Sequence, residues 1–179
     1  RYADLATARA RRLQQLERSG QATGERLTQL ERDEARLNEL LAALERARRT
    51  ATTAGGPPIA GGMTTEDIGK LDWPVNGRVV YNFGRTTLPT GGVVRWNGIG
   101  IGAAEGTPVK AVESGRVELV QRLGTYGLTV VVQHGNGYRS LYMQLQNADV
   151  AVGQDVTRGQ VIGTVGGANS EQGAHLHFE

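Results

Sequence analysis

Stepping by three and four residues from Leu13, the chain places Leu13, Leu16, Gly20, Thr23, Leu27, Leu30, Glu34, Leu37, Leu41 and Leu44 on one stripe, seven leucines in ten positions. This heptad register predicts a coiled-coil segment over residues 1–50, helical to about Arg49. A kink or short break is expected at residues 19–24, where Gly20, Gly24, Ser19 and Thr23 weaken helix formation. A lone helix cannot bury such a stripe, so it packs on a hairpin partner outside this chain, on the rest of the chain, or on another protein. Residues 51–72 read as a Gly/Pro linker with a short helix. Residues 51–63 hold four glycines and two prolines and nothing to build a core, and Thr64 then offers an N-cap ahead of Glu66 and Asp67 for a helix through about Leu71. From Trp73 the period changes to two, with short apolar runs punctuated by glycine. Strands are expected at 78–83, 98–102, 107–112, 115–123, 128–134, 138–144, 161–166 and 174–179. The run Leu128, Thr129, Val130, Val131, Val132 suits a central strand covered on both faces, and Gly135-Asn136-Gly137 a hairpin turn. The fold class is α+β: a coiled-coil helix followed by a mainly antiparallel sheet domain over residues 73–179.

Composition sharpens the division. Only two of the 26 glycines fall in residues 1–50, and that segment carries eleven Arg against eight acids, while the remainder holds nine basic and ten acidic residues. A net charge of +2, with arginines interleaved with Glu and Asp and no aromatic interleaving, argues against nucleic acid as a partner. No apolar run approaches a membrane span, and zero cysteines exclude disulfides and thiolate zinc sites. A chain that opens at Arg1 and stops at Glu179 within a strand pattern reads as a fragment.

The candidate chemistry lies in the histidines. His175 and His177 are two apart on a strand pattern, so both imidazoles leave one face while Leu176 and Phe178 leave the other. A metal pair, an acid/base pair or a polar groove would each explain them, and zinc needs a third protein ligand. His134, at the end of the central strand, is a weak candidate for that role. Trp73-Pro74-Val75, Phe83-Gly84, the run from Gly98 to Val112, Gly115-Arg116-Val117, His134 to Tyr138, Leu141-Tyr142, Val152-Gly153-Gln154 and His175 to Glu179 occur in the order seen in the lysostaphin/LytM-type zinc peptidase domain. Residues 73–179 resemble that family, which implies a duplicated hybrid motif-like β fold. In active members a His-x-x-x-Asp pair and the second His of His-x-His bind zinc, and a Tyr-x-His-Leu strand adds a catalytic His. On the positions of this chain the resemblance puts Trp96 at the first ligand, Gly100 at the ligand Asp and Gln144 at the catalytic His, keeping only His175 and His177. An indole N–H only donates, glycine has no side chain, and an amide cannot replace imidazole as an acid/base near neutral pH.

A degenerate domain of this kind behind a coiled coil resembles the murein hydrolase activators. That resemblance implies a non-catalytic protein with no cofactor and no bound metal, periplasmic and at the division septum. Its partners would be an N-acetylmuramoyl-L-alanine amidase at the β domain, the FtsE-FtsX complex at the coiled coil, and peptidoglycan. The expected partner-binding groove is made of Trp96, Asn97, Gly100, Tyr126, Tyr142, Gln144, His175 and His177, with the aromatics as anchors for a partner helix. If the short helix at 64–71 or a segment near it occupies this groove at rest, a pull on the coiled coil would release it. Two other readings remain open: an active zinc endopeptidase using His175 and His177, and a plain peptidoglycan-binding module.

Overall fold

A computed structural model describes residues 2–53, 61–87 and 92–179, so residues 54–60 of the expected linker lie outside the described residues. The chain divides into two units, Arg1–Glu45 and Arg46–Glu179. Helix α1 (Tyr2–Thr53) is continuous through residues 19–24, so the expected break is absent and the helix runs past Arg49. The two hydroxyls that argued for a break bond back onto the helix, Ser19 Oγ donating to the Leu16 carbonyl at 2.9 Å and Thr23 Oγ1 to the Ser19 carbonyl at 2.8 Å, and Thr28 Oγ1 does the same to the Gly24 carbonyl at 3.1 Å. Each bond keeps the hydroxyl inside the helical hydrogen-bond pattern and so removes its competition with the helix backbone. Leu13 and Leu16 of the heptad stripe are exposed. Among the described residues no helix is long and apolar enough to cross a membrane.

The second unit is built on an antiparallel sheet. Its strands are β1 (Arg78–Tyr81), β2 (Gly84–Thr87), β3 (Val93–Trp96), β4 (Ile99–Gly102), β5 (Pro108–Lys110), β6 (Gly115–Arg122), β7 (Leu128–Gln133), β8 (Arg139–Ala148), β9 (Asp155–Val156), β10 (Val161–Val165) and β11 (His175–Phe178). The main sheet runs β1-β4-β11-β8-β7-β6-β9, with β10 joining β5 to β8, while β2 and β3 form a separate two-stranded ribbon. All expected strands form. The two-residue β9 was missed, and so was the ribbon, where Gly84 at φ 106° ends the 78–83 run early and turns the chain into a new strand. β7 is interior and buried from Thr129 to Gln133, as its unbroken apolar run requires. The turn after it has Gly135, Asn136 and Gly137 all at positive φ, which glycine and asparagine tolerate. Val130, Val132, Tyr142, Leu145, Ile162 and Leu176 belong to one core cluster.

Residues 61–72 are docked and not a free linker. Met63 is buried in the core, its N–H donates to the His134 carbonyl at 3.2 Å, and Asn136 Nδ2 donates to its carbonyl at 3.1 Å. Arg158 donates to the Lys70 carbonyl at 3.0 Å and pairs with Asp72 at 3.1 Å. The expected short helix is a single 3-10 turn, Thr65–Asp67, closed by a Thr64–Asp67 capping box. The hydrogen bonds of this segment to the β domain go to His134, Asn136 and Arg158.

His134 is a core residue. Its Nδ1 meets the Ser114 carbonyl at 2.8 Å and its Nε2 meets Ser140 Oγ at 2.7 Å, which continues to the Tyr142 hydroxyl at 2.9 Å. Burial holds its pKa below the ordinary value of 6.5, against the opposing pull of the Ser114 carbonyl and Glu113. The unfolded chain therefore takes up this proton first, so the stability that His134 contributes is complete above about pH 6.5 and is lost as pH falls below it. In thermal melts followed by circular dichroism, Tm should drop from about pH 7.5 to about pH 5, and His134→Gln should flatten that slope. An identical slope in the variant would remove His134 as the cause.

Candidate functional site

The site forms where three strands meet. β4 lies between β1 and β11, and the register sets Tyr81 and His177 on either side of Gly100, with His175 beside Gly102. Because Gly100 has no side chain, the Tyr81 ring lies across β4: a Cβ at position 100 would come within 2.3 Å of Tyr81 Cε1. The Tyr81 hydroxyl reaches His177 Nδ1 at 2.8 Å, and His177 Nε2 meets Glu179 Oε1 at 3.0 Å. A carboxylate only accepts, so Nε2 carries the proton and Nδ1 accepts from tyrosine. Burial first, then the Glu179 charge, raises the Tyr81 pKa and keeps the phenol a donor. Trp96 stacks on the other side of Tyr81, with ring centroids 4.0 Å apart and planes at 17°, a contact that contributes about 1 kcal/mol beyond its buried area. Its indole Nε1 is buried without a hydrogen-bond partner.

His175 shares this face, edge-on to Tyr81 at 5.5 Å. Its Nδ1 donates to the Gly173 carbonyl at 2.8 Å, which leaves the lone pair on Nε2. Burial pushes its pKa down, with the neighbouring His177 adding to the effect against the Gly173 carbonyl, so the ring is neutral at pH 7. Tyr126 comes from the 3-10 turn Gly124–Tyr126 between β6 and β7, and its ring lies 5.9 Å from that of His177. Gln144 sits in β8 at φ 61°, a left-handed conformation, and its Nε2 donates to the Thr125 carbonyl at 2.7 Å, tying the turn that carries Tyr126 to β8.

Trp96, Gly100, Tyr126, His175 and His177 therefore come together, with Gln144 fastened to the adjoining turn. Asn97 follows Trp96 and is half-buried. Tyr142 does not belong to the groove. Pairing of Phe178 with Tyr142 and of His177 with Met143 turns Tyr142 to the core, where it is fully buried with its hydroxyl accepting from the Val112 N–H at 2.9 Å. Tyr81 was missed: it ends an ordinary strand pattern, and its role rests on Gly100 and His177, both far along the chain.

The zinc ion implied by the family resemblance does not fit these residues. Both ring nitrogens of His177 are engaged, the Tyr81 ring fills the space a side chain at position 100 would enter, and Trp96 offers no lone pair. Among the described residues no three His, Cys, Asp or Glu side chains are grouped to hold a metal.

An antiparallel sheet with a His-x-His pair on an inner strand defines a LytM-type peptidase fold, and residues 94–179 match peptidase family M23. The chain belongs to that family through its β domain. It is 45% identical over 111 residues to the murein hydrolase activator EnvC of Escherichia coli (strain K12), which covers 62% of this chain and 26% of EnvC. Among solved structures it is similar to a zinc containing peptidase from Vibrio cholerae, with 33% identity and a TM-score of 0.55 over 60% of this chain and 35% of that one. It is also similar to LytU, with 31% identity and a TM-score of 0.51 over 60% of this chain and 74% of LytU. The chain spans about a quarter of the length of the curated relatives it matches first.

The Tyr81–Gly100 contact is open to a double-mutant cycle. Gly100→Ala should cost about 1–3 kcal/mol by overpacking, and the same change in a Tyr81→Ala background should cost far less, measured by urea denaturation. Additive costs would show that the ring does not lie on Gly100.

Proposed function

We propose that this protein is a non-catalytic activator of periplasmic N-acetylmuramoyl-L-alanine amidases that split peptidoglycan at the division septum. The observation that carries the reading is the tyrosine lying across Gly100 with its hydroxyl on His177, which puts an aromatic surface where a peptidase of this family would hold its metal. Likeness to a murein hydrolase activator supports it. Trp96 and Tyr126, both half-buried, give the groove aromatic anchors of the kind that dominate protein interfaces. Asn97 and Gln144 complete the groove, the latter through its hold on the Tyr126 turn. The exposed leucines of α1 are the face on which the FtsE-FtsX complex would control the amidase.

A dye-release assay on peptidoglycan tests this with the protein alone, an amidase alone, both together, and both with Trp96→Ala/Tyr126→Ala. Release should occur in the mixture and fall about tenfold or more in the variant, the loss expected of removing two aromatic anchors. Zinc-dependent release by the protein alone would overturn the reading and make the retained His175 and His177 catalytic. Binding to sacculi with no effect on any amidase would make the domain a peptidoglycan-binding module.

A further inference from the structure

The β2–β3 ribbon has two faces. Trp96, opposite Gly84, belongs to the inner one, and the residues alternating with it form the outer one: Arg85 is paired directly with Arg95, and Thr87 with Val93. Both arginines are exposed, as are Phe83 (65%) and Val93 (51%). Phe83, Gly84, Arg85, Val93 and Arg95 line one shallow hollow. Three other arginines of the domain have acids: Arg116 pairs with Asp155 at 2.7 Å, Arg139 with Glu118 at 2.6 Å and Arg158 with Asp72 at 3.1 Å, while Arg78 and Arg122 stand apart from each other on separate strands. Among the described residues no carboxylate pairs with Arg85 or Arg95. Like charges directly opposed across a ribbon repel each other, and an anion between them removes the repulsion.

We propose that this hollow docks an acidic segment of a protein partner, whose neighbouring carboxylates bridge Arg85 and Arg95 while an adjacent apolar side chain packs on Phe83 and Val93. Two guanidiniums at opposed positions match two neighbouring carboxylates, and the flanking apolar side chains match a ligand that alternates acidic with apolar residues. A free anion such as phosphate would satisfy the arginines and leave Phe83 and Val93 uncovered. The face is turned away from the Trp96 side of the ribbon, so the proposal stands apart from the groove and from amidase activation.

The probes are a fluorescein-labelled peptide of alternating Glu and Leu, its Gln-for-Glu counterpart, and purified sacculi. The Glu peptide should bind, the Gln peptide should bind about tenfold more weakly or not at all, and raising salt should weaken the Glu peptide. Arg85→Glu/Arg95→Glu should abolish binding of the Glu peptide, and Phe83→Ala should weaken it. Arg95→Glu alone sets an acid opposite Arg85, so it should raise Tm while removing the binding, which separates a lost site from a damaged fold. Equal binding by the double variant, or equal binding of the two peptides, would overturn the proposal. So would sacculi that lose affinity for the double variant while the Glu peptide does not bind the wild-type protein, which would give the hollow to peptidoglycan.

Discussion

The groove depends on one contact, the Tyr81 ring lying across Gly100. Without a side chain at position 100 the phenol spans β4 and delivers its hydroxyl to His177 on the far strand. The same ring is the platform for Trp96 on one side and the edge partner of His175. One buried side chain thereby anchors one histidine by a hydrogen bond and orients an indole by stacking, the ordering that a bound ion imposes on its ligands in a metalloprotein. Packing and hydrogen bonds organise the groove.

The sheet beneath holds this arrangement rigid. β7 is buried from Thr129 to Gln133 and β8 from Ser140 to Met143, and the chain from the Val112 amide through Tyr142, Ser140 and His134 to the Ser114 carbonyl pairs the polar atoms it links within that core. Gln144 interrupts the alternation of β8 with its left-handed backbone, so Tyr142 and Leu145 both reach the core while the intervening amide turns out to hold Thr125. The strain of that conformation is carried by well-packed neighbours on both sides.

Whatever depends on local period was legible in the sequence. The eight strands, the Gly135-Asn136-Gly137 turn and the common face of His175 and His177 follow from alternation and turn chemistry. The motifs of residues 73–179 led to the family, and the two departures expected at Trp96 and Gly100 pointed to the place where the Tyr81 ring lies across β4. What was not legible depends on register between distant strands. Tyr142 was assigned to the groove because its face is decided by pairing with Phe178, and Tyr81 was overlooked because Gly100 and His177 meet it only across the sheet. Residues 61–63 looked like linker because Met63 is one apolar residue among glycines, yet it reaches the core through the backbone of His134 and the side chain of Asn136. The helix break failed for the opposite reason, local hydroxyls finding helical partners that propensity does not count.

The packing of Tyr81 against Gly100 also makes the site a ratchet in sequence space. A carboxylate introduced at position 100 runs into the phenol ring, so that step alone is harmful. Losing the tyrosine first strips Trp96 of its stacking partner and His177 of a hydrogen bond, so that step is harmful too. A histidine in place of Trp96 gains nothing while the ring remains. An ion-binding arrangement at these positions therefore requires several substitutions at once, each a loss by itself. His175 and His177 alone do not bring it within one step, because the obstacle lies in the Tyr81 ring.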